Sequence, residues 1–342
     1  MPNGSAPAEI LPTHTAALFD AAVNRAVALL RAGEVVALPT ETVYGLAANA
    51  LDEVAVAKIF EAKGRPAHNP IIVHVADVAM AQRCTSEWTA AAETLARTFW
   101  PGPLTIVLRR AACIPDILTA GGGTVGVRLP SHPFMQAVIR GCGFPLAAPS
   151  ANPSNSISPT NAAHVLQGLG ARIPLIVDGG QSQVGIESTV LDATAIPPRV
   201  LRPGMIHADA IAAALGNVDS TGTDPVADGA LRSPGLLRKH YSPKARVLEL
   251  SWADDSGLFK RLRACGADPA RTHVVAHTVI PVADSLGGVS VIPHDAEAYA
   301  RALYAELHRC DEAGAACIVV EKLPDGAEWE AIRDRLRRAA SD

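Results

Sequence analysis

The chain's most chemically suggestive segment is Lys63-Gly64-Arg65-Pro66. Gly64 and Pro66 shape the backbone tightly, and Asn69-Pro70 follows. Two cations fixed on a stiff loop can neutralise a triphosphate, arginine through its planar fork and lysine as a point charge. The same pair at a helix C-terminus also suits a solvated end favoured by the helix dipole. A second segment, Pro39-Thr40-Glu41-Thr42-Val43-Tyr44-Gly45, brings two hydroxyls, a carboxylate and a phenol together after a strand. Its plainer reading is a capped turn with Thr40 or Thr42 as N-cap. Arg128, in Gly126-Val127-Arg128-Leu129-Pro130, ends an apolar strand and needs an anion or carbonyl partner if buried. Pro149-Ser150-Ala151-Asn152-Pro153-Ser154-Asn155 is a polar turn. Its N–H groups can form an anion nest, or it is an Asx-rich loop capped into the next helix by Ser158 or Thr160. Gly185-Ile186-Glu187-Ser188-Thr189 and Leu201-Arg202-Pro203-Gly204 complete the set, with Ser188 and Arg202 either contacting substrate or ending strands.

Other chemistries find no footing. There is no G-x-x-x-x-G-K-[ST] loop, no G-x-S-x-G elbow, and Gly141-Cys142-Gly143 lacks the third glycine of a dinucleotide fingerprint. None of the six cysteines is spaced C-x-x-C and no histidine pair completes a zinc pattern, so no metal ligands are expected. The cysteines read as small buried hydrophobes in a reducing compartment. His74, inside Ile71–Val75, is either structural or a substrate contact near the Lys63 loop.

All five segments are loop-like and lie beside predicted strands, where open α/β sheets bind ligands. Helical spacing marks 15–32, Val54–Ala62, 89–99, 133–140 and 160–168. Strands are expected at Glu34–Leu38, Ile71–Val75, Leu104–Leu108, Val125–Arg128, Pro145–Ala148, Leu175–Val177, Thr189–Leu191 and Val200–Leu201. The first fourteen residues read as a flexible, frayed N-terminus. From 217 to 245 the chain turns rich in Gly, Asp, Ser, Thr and Pro without periodicity, which marks a linker. Strand 246–250, helix 256–264, strands 272–276 and 289–292, helix 296–313, strand 316–320 and helix 327–339 then form a smaller α/β unit. The fold class is α/β, with a mixed sheet flanked by helices.

With 342 residues the chain can bury a sizeable core, and with only 4% aromatics Ala, Val, Leu and Ile must fill it. Residues 1–208 carry 14 basic against 14 acidic side chains and residues 246–342 carry 12 against 16, so no part has the basic excess of a nucleic-acid-binding domain. Neither a signal peptide nor an apolar run of membrane-spanning length is visible, and a cytoplasmic location is expected. These residues describe an α/β enzyme that binds an anion, best a nucleotide, without fixing its reaction.

In order and spacing, Pro39–Leu46, Lys63–Pro66 with Asn69–His74, Trp100–Thr105, Val127–Pro130, Ser150–Asn152 with Ser158–Thr160, Glu187–Val190 and Leu201–Gly204 resemble the YrdC-like domain of threonylcarbamoyl-AMP synthases. Ser233-Pro234-Gly235 and His240-Tyr241-Ser242-Pro243 resemble the linker of the longer, two-domain members. The resemblance implies a catalytic domain at 15–208, a linker and active-site lid at 209–245, and a Rossmann-like domain at 246–342. It implies synthesis of threonylcarbamoyl-AMP from L-threonine, bicarbonate or CO2 and ATP, with Mg2+ and release of pyrophosphate. That is the first step of N6-threonylcarbamoyladenosine formation at tRNA position 37, with the product passed to downstream transfer machinery and little direct tRNA binding. By the same resemblance Lys63, Arg65, Ser150, Asn152, Arg202 and Tyr241 bind ATP, with Lys63 and Arg65 catalytic. Thr42, His74, Arg128 and Ser188 hold threonine, and Thr40 and Tyr44 line the pocket. Ala47 and Asn155 stand where glycines are usual in the family, and Ser242 where alanine is. The rivals are an RNA-binding or regulatory protein of this fold and a carbamoyl-adenylate-forming enzyme of hydrogenase maturation, the last disfavoured by the absence of zinc-finger cysteines.

Overall fold

A computed structural model describes residues 8–220, 241–282 and 284–340 and divides the chain into two compact units. The first unit takes the chain up to Ser154, Ser158–Gln183 and the described residues from Glu187 to 220. Its strands are β1 (Glu9–Pro12), β2 (Val36–Leu38), β3 (Gly45–Asn49), β4 (Val73–His74), β5 (Leu104–Arg109), β6 (Thr124–Arg128), β7 (Leu146–Ala147), β8 (Leu175–Asp178), β9 (Thr189–Asp192) and β10 (Arg199–Arg202). They form one mixed sheet in the order β1-β8-β2-β3-β7-β4-β6-β5-β9-β10. The helices are α1 (Ala16–Arg31), α2 (Glu53–Lys63), α3 (Val78–Cys84), α4 (Ala90–Phe99), α5 (Asp116–Thr119), α6 (Pro133–Cys142), α7 (Ala162–Leu169) and α8 (Ala208–Leu215).

Local sequence sets these helices. Ala22, Ala26 and Leu30 fall on one face of α1 at four-residue spacing and are buried, while Thr15 accepts from the Leu18 N–H at the N-terminus. Asp52 caps α2 by accepting from Val54 and Ala55. Gly64 then takes φ +59°, a left-handed conformation that ends the helix. Lys63 is therefore the last helical residue and Arg65 the first on the new path.

The second unit takes Asn155–Ile157, Val184–Ile186 and the described chain from Tyr241 on. Here β11 (Arg246–Leu250), β12 (Thr272–Ala276), β13 (Gly288–Val291) and β14 (Cys317–Glu321) form a wholly parallel sheet in the order β11-β14-β12-β13. The helices are α9 (Asp255–Ala264), α10 (Ala296–Glu312) and α11 (Glu330–Ala339). A parallel sheet needs cover on both faces, and its central β12 and β14 are buried throughout. The mixed sheet with its smaller parallel companion is the expected α/β architecture.

The strand β3 (Gly45–Asn49) and the helix α3 (Val78–Cys84) form where no element was expected, and two further stretches contradict their expected character. Residues 9–12, read as frayed, form β1, which pairs in parallel with β8 from Glu9↔Leu175 to Pro12↔Asp178. Residues 208–215, assigned to the linker, form α8, whose Ile211 is buried in the first core. Both are short elements fixed by tertiary pairing rather than by their own periodicity. Of the expected linker, 221–240 lies outside the described residues. No helix among the described residues is long and apolar enough to cross a membrane.

Candidate active site

The end of α2 delivers Lys63 into a fully buried position. Its ammonium donates to the carbonyls of Ser150 and Asn152, each at 2.5 Å, while Ser154 N–H donates back to the Lys63 carbonyl at 2.9 Å. The lysine thus organises the turn after β7. Burial, with the nearby Arg65 charge, pushes the ammonium pKa well below its ordinary value. A lysine has three N–H donors, and two are committed here. Arg65 Nε donates to the Asn69 carbonyl at 3.0 Å and Nη2 to that of Pro70 at 2.6 Å, which fixes the guanidinium along its own loop. Asn69 is buried and its Oδ1 has no partner among the described residues.

A second set surrounds Arg128 at the end of β6. Its Nη2 lies 2.6 Å from Glu41 Oε1, both side chains nearly wholly buried, and Nη1 donates to Thr42 Oγ1 at 3.0 Å. Nε donates to the Gly102 carbonyl at 3.3 Å. Burial opposes the Glu41 charge, but Arg128 and the Ser131 N–H at 3.0 Å outweigh it, so the carboxyl is held below its usual range. His74 on β4 pairs in register with Arg128. Burial first, and then the Arg128 charge, lower its pKa to about 3, and its Nδ1 has no partner among the described residues. The imidazole is neutral at working pH.

The third set lies at the start of β9. Ser188 Oγ shares a hydrogen bond with Thr105 Oγ1 at 2.8 Å. Arg202 brackets this serine, donating from Nε and Nη2 to its carbonyl at 3.1 and 2.9 Å and from Nη2 to its Oγ at 3.2 Å. Backbone contacts tie the three sets together. Gly45 bridges to Ser150, Ala151 N–H donates to the Tyr44 carbonyl at 2.8 Å, and Thr189 N–H donates to the Pro103 carbonyl one residue from Gly102.

The structure therefore brings together Lys63, Arg65, Ser150 and Asn152 in one set, Thr42, His74 and Arg128 in another, and Ser188 with Arg202 in a third. Neither Thr40 nor Thr42 caps a helix. Thr40 Oγ1 donates to the Val43 carbonyl at 2.6 Å and lies 3.0 Å from Thr42 Oγ1. The Tyr44 hydroxyl donates to the Gly180 carbonyl at 2.7 Å and accepts from Gly179 N–H at 3.1 Å, so this phenol ties down a turn. Asn161, rather than Ser158 or Thr160, caps α7. Tyr241 belongs to the second unit, buried beside Tyr304 at 5.8 Å between ring centroids and beneath the Arg335 guanidinium. Its φ of +62° is one an aromatic residue rarely adopts. Asn155 holds φ +68°, which accounts for an asparagine where the family commonly has glycine. Sequence reasoning missed Glu41, Asn69 and Thr105 as site residues. The signal available for Glu41 was a carboxylate and an arginine, each in a run bound for the interior, where neither charge is tolerated alone.

A desolvated lysine and a partly buried arginine beside polar loop carbonyls, next to a buried arginine–carboxylate–imidazole set, suit an α/β enzyme that holds an oligophosphate and a small polar partner. The comparisons give the family. The chain matches the family model described as telomere recombination over residues 28–204 and that of the threonylcarbamoyl-AMP synthase C-terminal domain over residues 206–341. It is 39% identical to the threonylcarbamoyl-AMP synthase of Pyrococcus abyssi over 93% of this chain and 94% of that protein. It is 41% identical to that of Bacillus subtilis, over 94% and 93%. The crystal structure of P. abyssi Sua5 complexed with L-threonine superposes with a TM-score of 0.85 at 38% identity, covering 93% of this chain and 94% of that one. The chain belongs to the threonylcarbamoyl-AMP synthase family.

Proposed function

We propose that this chain joins L-threonine, bicarbonate or CO2 and ATP into threonylcarbamoyl-AMP and releases pyrophosphate, with the residues of the first unit in the following roles. The observation that carries this reading is the pairing of two buried polar sets, one cationic and one balanced, across the Gly45–Ser150 bridge. The cationic set suits ATP. The third N–H of Lys63 and the guanidinium of Arg65 meet the phosphates, and the polyanion supplies the countercharge that the desolvated ammonium lacks. Arg202 holds the Ser188 end of the site while contacting nucleotide.

The balanced set suits an amino acid. Among the described residues Arg128 engages Gly102, Thr42 and Glu41, three of its five N–H groups, and the remainder take the threonine carboxylate. His74 and Ser188 orient the amine and hydroxyl. With a pKa of about 3, His74 positions its partner and does not carry a proton away. The threonine amine attacks the carbon of CO2 to give a carbamate, and a carbamate oxygen attacks the α-phosphorus as pyrophosphate leaves. Charge grows on the leaving group beside Lys63 and Arg65, so placement and electrostatics supply the catalysis.

Mg2+ enters with ATP as part of the substrate, and neutralises phosphate charge. Glu41 is committed to Arg128 and Glu187 accepts from Ser158 at 2.5 Å, so these carboxylates fit a metal carried by the phosphates better than one held by protein. The labile intermediate needs water excluded, the role that the resemblance gives to the linker with Tyr241. The product passes to tRNA-modifying transfer machinery in the cytoplasm.

Equilibrium binding separates the two sets. Lys63→Ala is expected to weaken ATP and spare L-threonine, and Arg128→Gln the reverse. Equal effects of both variants on both ligands would remove the division of labour.

A further inference from the structure

Apart from the catalytic unit, the second unit gathers a histidine, a carboxylate and a thiol whose spacing in the sequence gives no hint of it. Glu306 and Cys310 lie one turn apart on the same face of α10, and His273 comes from the buried strand β12. Cys310 Sγ is 3.6 Å from Glu306 Oε1, and His273 Nε2 is 3.7 Å from the same oxygen. One ligand atom from each of the three residues lies within 4.8 Å of the others. Around a zinc ion with bonds of about 2.0–2.3 Å, the edges of a tetrahedron are about 3.3–3.7 Å. Ser290 Oγ on the adjacent β13 stands 2.8 Å from His273 Nε2.

A positive charge already occupies this position. Arg309 Nη2 lies 2.7 Å from His273 Nε2 and 2.6 Å from Glu306 Oε1, and donates to Ser290 Oγ. A guanidinium has no acceptor, so His273 Nε2 must present its lone pair toward the cation. The imidazole fits because β13 has Gly288 opposite it, where a Cβ would come within 2.4 Å of the ring. The Arg309 side chain is half exposed, while His273 and Cys310 are buried. The guanidinium on this site is therefore open to solvent, while His273 and Cys310 are enclosed.

We propose that His273, Glu306 and Cys310 form a binding site for a borderline divalent cation of the Zn2+ type, which displaces the Arg309 guanidinium into solvent. A hydrated ion enters, the Cys310 thiol releases its proton to water as the sulfur–metal bond forms, and Ser290 Oγ or a retained water takes the fourth place. Such a site pins α10 to β12 and β13. Its residues all belong to the second unit, and none is among those assigned to ATP or threonine.

The test uses the full chain, stripped of metal by chelator dialysis and titrated with Zn2+ against a chromogenic competitor, then with Co2+ by absorption spectroscopy. Wild type is expected to take up one equivalent of Zn2+ and to show a thiolate-to-cobalt charge-transfer band. Cys310→Ser should abolish the band, while Cys113→Ser, at an exposed thiol, should keep it. Arg309→Ala removes only the exposed competitor and should tighten zinc binding by about two- to fivefold, what a half-exposed ion pair contributes. No zinc uptake by wild type and Arg309→Ala overturns the proposal and leaves a self-satisfied ion-pair cluster. So does a charge-transfer band that survives Cys310→Ser.

Discussion

Replacing Lys63 by methionine separates a residue kept for chemistry from one kept for the fold. The substitution preserves length and apolar volume and removes the ammonium. Two buried acceptors, the carbonyls of Ser150 and Asn152, lose donors at 2.5 Å. Each orphaned acceptor costs about 1–3 kcal/mol. Against this, the fold no longer desolvates an ammonium, a penalty of several kcal/mol. The two effects are of similar size, and the expected change in stability is within about 2 kcal/mol of wild type, a melting shift of at most about 4–8 °C. Turnover has no such compensation, because the lost charge faces the leaving pyrophosphate. It should fall by at least about 10²-fold, as for loss of one transition-state donor. Pyrophosphate release measured beside thermal denaturation reads both effects. Near-normal turnover refutes the role of Lys63, and a variant that fails to fold shows that the lysine chiefly holds the Ser150 turn. Lys63→Arg is not expected to rescue activity, since a planar fork does not fit a site shaped for a point donor.

Glu41→Ala leaves Arg128 buried without its 2.6 Å partner and should destabilise the protein by about 3–5 kcal/mol, read by denaturant unfolding; a loss below about 1 kcal/mol would mean that water reaches the pair. His74 titrates near 3 when folded, against an ordinary value of 6.5. As pH falls between these values the unfolded chain takes up a proton that the folded chain refuses, and stability declines by up to about 1.4 kcal/mol per pH unit. His74→Asn should flatten that part of the stability profile, and an unchanged slope would contradict the burial argument. The lowered Glu41 carboxyl acts in the same direction, its contribution present above its unfolded value of 4.5 and lost as pH falls through the folded one. Tyr241→Ala should reduce turnover, and unchanged kinetics would make the linker a plain tether.

Much of the frame was legible in the sequence because long elements announce themselves. The spacing in α1 and α10 and the apolar runs of β12 and β14 mark elements that bury a whole face, and structure and expectation agree there to within a residue or so. What escaped was set by partners far along the chain. β1 has four residues and exists because β8 lies beside it. The helix α8 has Ile211 as its only buried residue, too little for a visible pattern. In the candidate site, the polar segments were readable but the pairings between them were not. Arg128 was expected to need an anion or a carbonyl, and it has both, in Glu41 and Gly102, but no local rule names a carboxylate 87 positions earlier. Tyr44 shows the converse, a phenol placed for a pocket whose hydroxyl is fully used by the Gly179–Gly180 backbone.

The most direct measurement is pyrophosphate release from MgATP by the purified chain, with L-threonine and bicarbonate each withheld in turn. Release that requires both is the predicted result, since the carbamate that attacks the α-phosphorus is made from the threonine amine and the bicarbonate-derived carbon. Release that ignores threonine would contradict the assignment of Thr42, His74, Arg128 and Ser188 as its holders and would leave an ATP hydrolase or a different acceptor.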